Sequence, residues 1–208
     1  MSAASRQPAD VAMAPQAVSR TAVVLGAAGA SLQFLGGLIE TVDRVQAGEP
    51  GFTLRTTVIA VAYVMLLMTV LALAESGMAG RGTVARYGLA VAGFGWALSA
   101  AAQWMLQADV DLAEQVLFPI ATIAIGAGMV AAGIGVVRSG RWRGWRRWVP
   151  LLCGLYPFVV VFPVFAAVGE PNFLVLSGWG ACWLGLALAL LGSGGRSTLV
   201  SGRSRRWP

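Results

Sequence analysis

Residues 56–74 read TTVIAVAYVMLLMTVLALA, a run of 19 residues that contains no charged side chain. A hydrocarbon core about 30 Å thick needs roughly 20 apolar residues in a helix, and a helix buried in a soluble protein is seldom free of charge for that long. The run also lacks the alternating polarity of a barrel strand. Because lipid offers no partners for free backbone groups, the run predicts a transmembrane helix.

Five more charge-free runs of similar length occur along the chain, and together they predict the fold class. The expected spans are about 21–39, 56–74, 87–107, 116–137, 148–168 and 172–192. The 15 basic and 9 acidic residues all lie outside these spans, as expected because a charge at the bilayer centre costs about 2.5–3.5 kcal/mol on insertion scales. We predict an all-α polytopic membrane protein in which residues 21–195 form a single bundle of six transmembrane helices.

The arginines indicate the orientation of the bundle. All 15 basic residues are arginine, and 13 of them would lie on one side, leaving only Arg44 and Arg55 on the other. The positive-inside rule therefore predicts cytoplasmic termini (N-in/C-in), with a disordered tail at 1–20 and a basic tail at 196–208. The net charge of +6 is thus a topology signal and does not indicate nucleic-acid binding. Arginine without any lysine is typical of a GC-rich bacterial genome, so we expect a bacterial inner (plasma) membrane.

The composition argues against most catalytic chemistry. Without histidine there is no imidazole base and no histidine-ligated zinc or haem, and without lysine there is no Schiff base. No Asp or Glu lies within a predicted span, which argues against an intramembrane aspartyl dyad or proton relay. Cys153 and Cys182 are expected to be small core residues. We therefore predict no enzymatic activity, no cofactor and no metal.

Two acidic segments between the spans are expected to have ordinary structural roles. Asp111 is expected to be the N-cap of a helix, with Glu114 three residues later, rather than a cation ligand. Glu40 and Arg44 are four residues apart, which favours a solvated surface ion pair if the first helix extends that far.

An arginine- and tryptophan-rich loop is predicted to anchor the protein at the membrane surface. Its tryptophans recur every three residues with arginines between them, so in a helix the indoles would share a face. Indole prefers the headgroup level, and guanidinium pairs with phosphate. The predicted partner is therefore anionic phospholipid on the cytoplasmic face. The anchor comprises Arg141, Trp142, Arg143, Trp145, Arg146, Arg147 and Trp148.

Small residues recur every four positions in several spans, a spacing that lets helices approach closely. Two such stripes are Ala22, Gly26 and Ala30 in the first span, and Gly93, Ala97 and Ala101 in the third. Packing within the bundle is the main expectation. A homo-oligomer or a partner membrane protein is the alternative.

Five polar residues fall at one depth, roughly 7–11 Å from the predicted outer boundary at about 1.5 Å per residue. Buried amides and hydroxyls need partners, so these side chains either bond to one another between helices or line a pocket open to the outside. The candidate pocket residues are Gln33, Tyr63, Gln103, Thr122 and Ser177.

The fifth span contains a candidate hinge at Pro157 and Pro163. Each proline lacks the N–H that would bond to the carbonyl four residues earlier, at Cys153 and Val159 respectively. Broken helices mark transport paths in some proteins, and static kinks are the alternative.

The sequence combines six predicted spans in about 200 residues, both ends predicted inside, the Ala22, Gly26 and Ala30 stripe and a long first loop on the predicted outer side. In architecture this combination resembles the substrate-capturing subunits of energy-coupling-factor vitamin transporters. The resemblance implies a small-molecule binding or transport subunit with an outward-facing polar pocket. The composition of the chain instead favours a non-enzymatic accessory or structural membrane component. Both functions are hypotheses.

Overall fold

The computed structural model describes residues 19–43, 45–80, 82–169 and 171–193, and every regular element in these ranges is helical. Six long helices are present: α1 Arg20–Val42, α2 Phe52–Glu75, α3 Thr83–Met105, α4 Val110–Ser139, α5 Gly144–Val168 and α6 Phe173–Leu191. The predicted C-terminal tail, the N-terminal tail up to residue 18, and Arg44 lie outside the described residues.

Five of the six helices are long and apolar enough to cross a membrane, namely α1, α2, α4, α5 and α6. α3 is also 23 residues long, but its many Gly and Ala residues and Gln103 make it less hydropathic. The all-helical class and its fit to a membrane-embedded protein are therefore confirmed. The sixth span remains a prediction.

The helices pack in chain order around a closed ring. Each of α1 to α5 contacts the next helix along the chain, and α6 closes the ring by packing along α1. Because the connections are short, successive helices run antiparallel. One end of the bundle, which we call the acidic end, carries segments 43–51, 106–109 and 169–172. The other, the arginine-rich end, carries segments 76–82 and 140–143.

Glycines bring three of these helices into close contact. A Cβ atom built on Gly128 of α4 would lie 2.4 Å from the carbonyl oxygen of Gly88 on α3. One built on Gly154 of α5 would lie 2.8 Å from the carbonyl oxygen of Gly126 on α4. Since real Cβ atoms do not approach backbone so closely, these positions hold glycine because two helix axes meet there.

α4 and α5 share an unusual local geometry. Each contains a five-residue π turn, Ala113–Leu117 in α4 and Pro157–Val161 in α5. Each π turn is followed by Phe-Pro, at residues 118–119 and 162–163. A proline cannot donate to the preceding turn and its ring crowds that turn, so the helix widens before it.

The helix caps correct one expectation. The N-cap of α4 is Asp109, whose carboxylate accepts the backbone N–H of Leu112 at 3.0 Å. Asp111, the predicted cap, instead lies in the first turn and accepts a hydrogen bond from the Gln115 side chain at 3.2 Å. The helix begins two residues earlier than predicted because Asp109 already has the extended backbone that a cap requires.

Candidate binding cavity

A cavity of about 540 Å³ lies inside the ring of helices towards the acidic end. All six helices contribute side chains to it, and Val45, Gln46 and Ala47 of the α1–α2 connection border its mouth. Ligand sites in proteins commonly have volumes of roughly 300–1,000 Å³. The cavity is therefore large enough to hold a small organic molecule.

Four of the five predicted pocket residues line this cavity, namely Gln33, Tyr63, Gln103 and Thr122. They come from α1, α2, α3 and α4, so the shared depth inferred from the sequence corresponds to a shared space. Ser177 of α6 does not line the cavity. Its hydroxyl donates to the carbonyl of Phe173 at 3.0 Å, and it faces Gly37 of α1, where the two helices meet.

The two glutamine side chains carry unsatisfied hydrogen-bonding groups. Gln33 and Gln103 are 8% and 5% exposed, and the Oε1 atom of each is buried without a hydrogen-bond partner. A buried carbonyl oxygen without a donor costs roughly 1–3 kcal/mol, so native structures rarely leave one without a reason. Both residues border the cavity while these two oxygen atoms are enclosed, so a bound molecule supplies the donors once each amide turns towards the cavity.

The inner end of the cavity is formed by aromatic rings. Trp96 of α3 stacks on Trp179 of α6, with ring centroids 5.5 Å apart and ring planes 25° apart. Tyr63 of α2 lies 5.3 Å from Trp96 between centroids, and Trp183 meets Trp96 edge-on at 5.1 Å. Trp96 and Trp183 are almost fully buried, so the rings form a rigid base between α2, α3 and α6.

An ion pair between α1 and α2 closes part of the rim. The guanidinium of Arg55 donates through Nε to Glu40, and its NH1 group donates to the carbonyl of Val45 at 2.7 Å. Glu40 is only 6% exposed. The expected partner Arg44 lies outside the described residues, but the expectation that Glu40 is solvated is wrong, because α2 places Arg55 against a carboxylate that is buried.

The two candidate hinge prolines do not line the cavity, whereas Val161, Phe162 and Phe165 between and beside them do. The carbonyl of Cys153, which Pro157 deprives of its helical donor, accepts a hydrogen bond from Trp179 Nε1 at 2.9 Å. The final segment of α5, Phe162–Val168, has few close backbone neighbours in other helices. The bend at Pro157 is thus bonded to α6, and the segment beyond it borders the cavity more loosely.

The predicted membrane anchor lies at the arginine-rich end, far from the cavity. Trp145 and Trp148 are exposed and occupy a 3₁₀ turn, Gly144–Trp148, in which residues three apart share a face. Trp142 does not share that face. It is 5% exposed and packs in the core, because it precedes the 3₁₀ turn and lies at a bend in the loop.

Arginines of the same loop connect neighbouring elements. Arg141 donates to the carbonyl of Gly77 in the α2–α3 connection, and Arg146 donates to the carbonyl of Gly192 after α6 at 3.0 Å. The guanidinium of Arg147 lies over the Trp148 ring, 4.9 Å from its centroid. At least two of the anchor arginines therefore also hold helix ends together.

The aromatic character of the cavity was not predicted from the sequence. Five of the eight phenylalanines line it, together with Tyr63, Trp96 and Trp179. Two of those phenylalanines, Phe118 and Phe162, belong to the repeated Phe-Pro pairs that follow the π turns. The repeated Phe-Pro pair is the feature of the sequence that could have indicated the cavity lining. Each pair follows a π turn, and π turns are frequent at functional sites.

No protein-family model, no curated protein and no solved structure matches this chain. Among the described residues, no group of three or more His, Cys, Asp or Glu side chains is placed to hold a metal ion.

Proposed function

We propose that this chain is a plasma-membrane protein of six spans that binds a small molecule in the cavity, which opens to the outside. The observation that supports the proposal is the cavity itself, a space of about 540 Å³ bordered by all six helices, two of which contribute buried amide oxygens without partners. A component with a purely structural role has no need of such a space. Filling it with apolar side chains would stabilise the bundle.

The proposed orientation rests on charge. The arginine-rich end carries Arg138, Arg141, Arg143, Arg146 and Arg147, whereas the acidic end carries Asp43, Glu49, Asp109, Asp111 and Glu114. The positive-inside rule puts the first of these ends in the cytoplasm, with both termini, and the second outside. The cavity then faces the outside, at the depth where an external ligand reaches it.

A matched pair of glycine variants tests ligand binding. Gly36 lines the cavity, and a Cβ built on it meets nothing within 4 Å, so Gly36→Leu should fill the space without disturbing the helices. Gly185 of α6 is the control, since its Cβ would meet only Val149 Cγ1 at 3.8 Å and it does not line the cavity. Both changes replace a helical glycine with leucine.

The readout is mass spectrometry of small molecules that co-purify in mild detergent. We expect a compound retained by the wild type and by Gly185→Leu and lost from Gly36→Leu. Identical small-molecule content in all three proteins would refute the binding proposal. The orientation is tested by alkaline phosphatase fusions after residues 81 and 111. Activity is expected only from the second fusion, and activity from the first would reverse the proposed orientation.

The second candidate function is that of a non-enzymatic accessory or structural membrane component. One observation favours it: in the Gly93, Ala97 and Ala101 stripe of α3, both alanines are exposed. A small-residue stripe on an outer face allows the close approach of another helix. Recovery of a stoichiometric membrane-protein partner, with no small molecule, would favour this function over the first.

A further inference from the structure

The interior of the cavity contains polar groups but no charge. Among the described lining residues, the ionised side chains are Glu40, Arg55 and Glu114, and all three lie near the acidic end. Glu40 and Arg55 neutralise each other in the rim ion pair. The deeper polar side chains are the amides of Gln33 and Gln103 and the hydroxyls of Tyr63, Ser99 and Thr122.

This arrangement disfavours a charged group at the inner end. An ion moved from water into a site without a counter-charge keeps an uncompensated desolvation cost. The charged side chains Glu40 and Arg55 at the rim form an ion pair with each other. We therefore expect the part of a ligand that contacts the rings of Trp96 and Trp179 to be uncharged.

The aromatic side chains and hydrogen-bond acceptors of the lining indicate two further properties of the ligand, its shape and its donor groups. Eight aromatic side chains border the cavity, three of which form its inner end. Aromatic walls bind flat ring systems well, through offset stacking and edge contacts. The Oε1 atoms of Gln33 and Gln103 are acceptors without donors, so the ring should carry N–H or O–H groups.

On the basis of the proposed binding function, we infer that the ligand is an uncharged molecule with a planar ring system and N–H or O–H donors directed at Gln33 and Gln103. The two glutamines determine specificity by accepting those donors. The same site discriminates against carboxylates, ammonium ions and ring compounds that lack a donor.

Four naphthalene derivatives of nearly equal size test this inference. They are 2-naphthamide, which is neutral with N–H donors; methyl 2-naphthoate, which is neutral without donors; 2-naphthoate, an anion; and 2-naphthylmethylammonium, a cation. Binding is measured by equilibrium dialysis against the full-length protein in detergent micelles, with empty micelles subtracted. We expect the amide to bind about tenfold more tightly than the ester, and the two ions to bind more weakly still.

The variants distinguish failure of this inference from failure of the proposed function. Gln33→Leu and Gln103→Leu should reduce the amide-to-ester preference towards one while leaving ester binding intact, because each removes an acceptor and keeps an apolar surface. Gln33→Leu should fold, since it removes a buried oxygen that has no partner. Gln103→Leu also removes the hydrogen bond between the Gln103 and Tyr63 side chains, so its circular dichroism spectrum is compared with that of the wild type before binding is measured.

If amide, ester and ions bind equally and Gly36→Leu abolishes all binding, the ligand class is wrong but the cavity binds molecules. If binding is the same in Gly36→Leu, Gly185→Leu and the wild type, the probes are not in the cavity and the binding function itself fails. A tenfold preference for either ion would likewise overturn the inferred class.

Discussion

The indole Nε1 of Trp179 donates a hydrogen bond of 2.9 Å to the carbonyl oxygen of Cys153, the acceptor that Pro157 leaves without its helical donor. Two features of different helices therefore compensate each other: a proline that frees a carbonyl in α5, and a tryptophan in α6 that occupies it. The same indole stacks on Trp96 at the inner end of the cavity. The bend in α5 and the base of the cavity are thus held by one side chain.

Replacing Trp179 with Phe should therefore destabilise the protein, and the cost should depend on residue 157. In the wild type, Trp179→Phe leaves the Cys153 carbonyl without a donor, at a cost of roughly 1–3 kcal/mol in addition to lost packing. In a Pro157→Ala background the new N–H can bond to that carbonyl, so the same change should cost less. Unfolding in detergent, followed by circular dichroism, measures all four proteins of the cycle.

Trp183→Phe is the matched control for this cycle, because the Trp183 Nε1 atom is buried and donates to no partner in the described structure. Its cost should be the same in the wild-type and Pro157→Ala backgrounds. An equal cost of Trp179→Phe in the two backgrounds would show that the Trp179–Cys153 bond does not compensate for the proline.

Adjacent glycines of α1 should respond in opposite ways to alanine. A Cβ on Gly37 would lie 2.3 Å from the Ser177 hydroxyl oxygen and 2.8 Å from the Phe173 carbonyl oxygen, so Gly37→Ala should force α1 and α6 apart. We expect a loss of roughly 1–3 kcal/mol in the free energy of unfolding. Gly36→Ala, which meets nothing within 4 Å, should be neutral or stabilising by up to about 1 kcal/mol through helix propensity.

Thermal unfolding of the two glycine variants in the same detergent measures this difference. An equal loss at both positions would contradict the close contact of α1 with α6 at Ser177.

The Glu40–Arg55 ion pair should be coupled in a double-mutant cycle. Arg55→Gln removes a positive charge from beside a carboxylate that is 6% exposed, and we expect it to cost about 2–3 kcal/mol, less than for a fully buried pair because Arg55 remains partly exposed. Glu40→Gln in the same chain should recover part of that loss, since the buried charge disappears. Chemical unfolding of the two single variants and the double variant gives the coupling energy, and strictly additive losses would contradict the pairing.

The sequence predicted much of this fold for a simple physical reason. Lipid excludes charge, so the spacing of arginine and acidic residues marks helix boundaries without any knowledge of packing. The same spacing placed Gln33, Tyr63, Gln103 and Thr122 at one depth, and these four border one cavity. Depth follows from counting residues, whereas the direction of a side chain depends on the rotation of its helix.

The rotation of each helix about its axis decides which residues of a given depth face the cavity, and the sequence does not show it. Ser177 has the predicted depth but faces Gly37, and nothing in a nearly all-apolar helix indicates which face is turned inward. Glu40 was expected to be solvated, yet it is buried, because the neighbouring helix α2 places Arg55 against its carboxylate. Contacts between helices depend on tertiary packing that local periodicity does not encode.

The tryptophans of the 142–148 segment should separate into a structural and an interfacial class. Trp142 is 5% exposed and packs in the core, so Trp142→Ala should cost roughly 3–5 kcal/mol of stability. Trp145 is 57% exposed, so Trp145→Ala should cost less than about 1 kcal/mol in detergent.

Trp145→Ala should instead reduce the thermal stabilisation gained on adding phosphatidylglycerol, because an interfacial indole acts only where headgroups are present. Comparable losses for both variants in detergent would contradict the burial of Trp142, and an unchanged lipid effect in Trp145→Ala would contradict its role as an anchor.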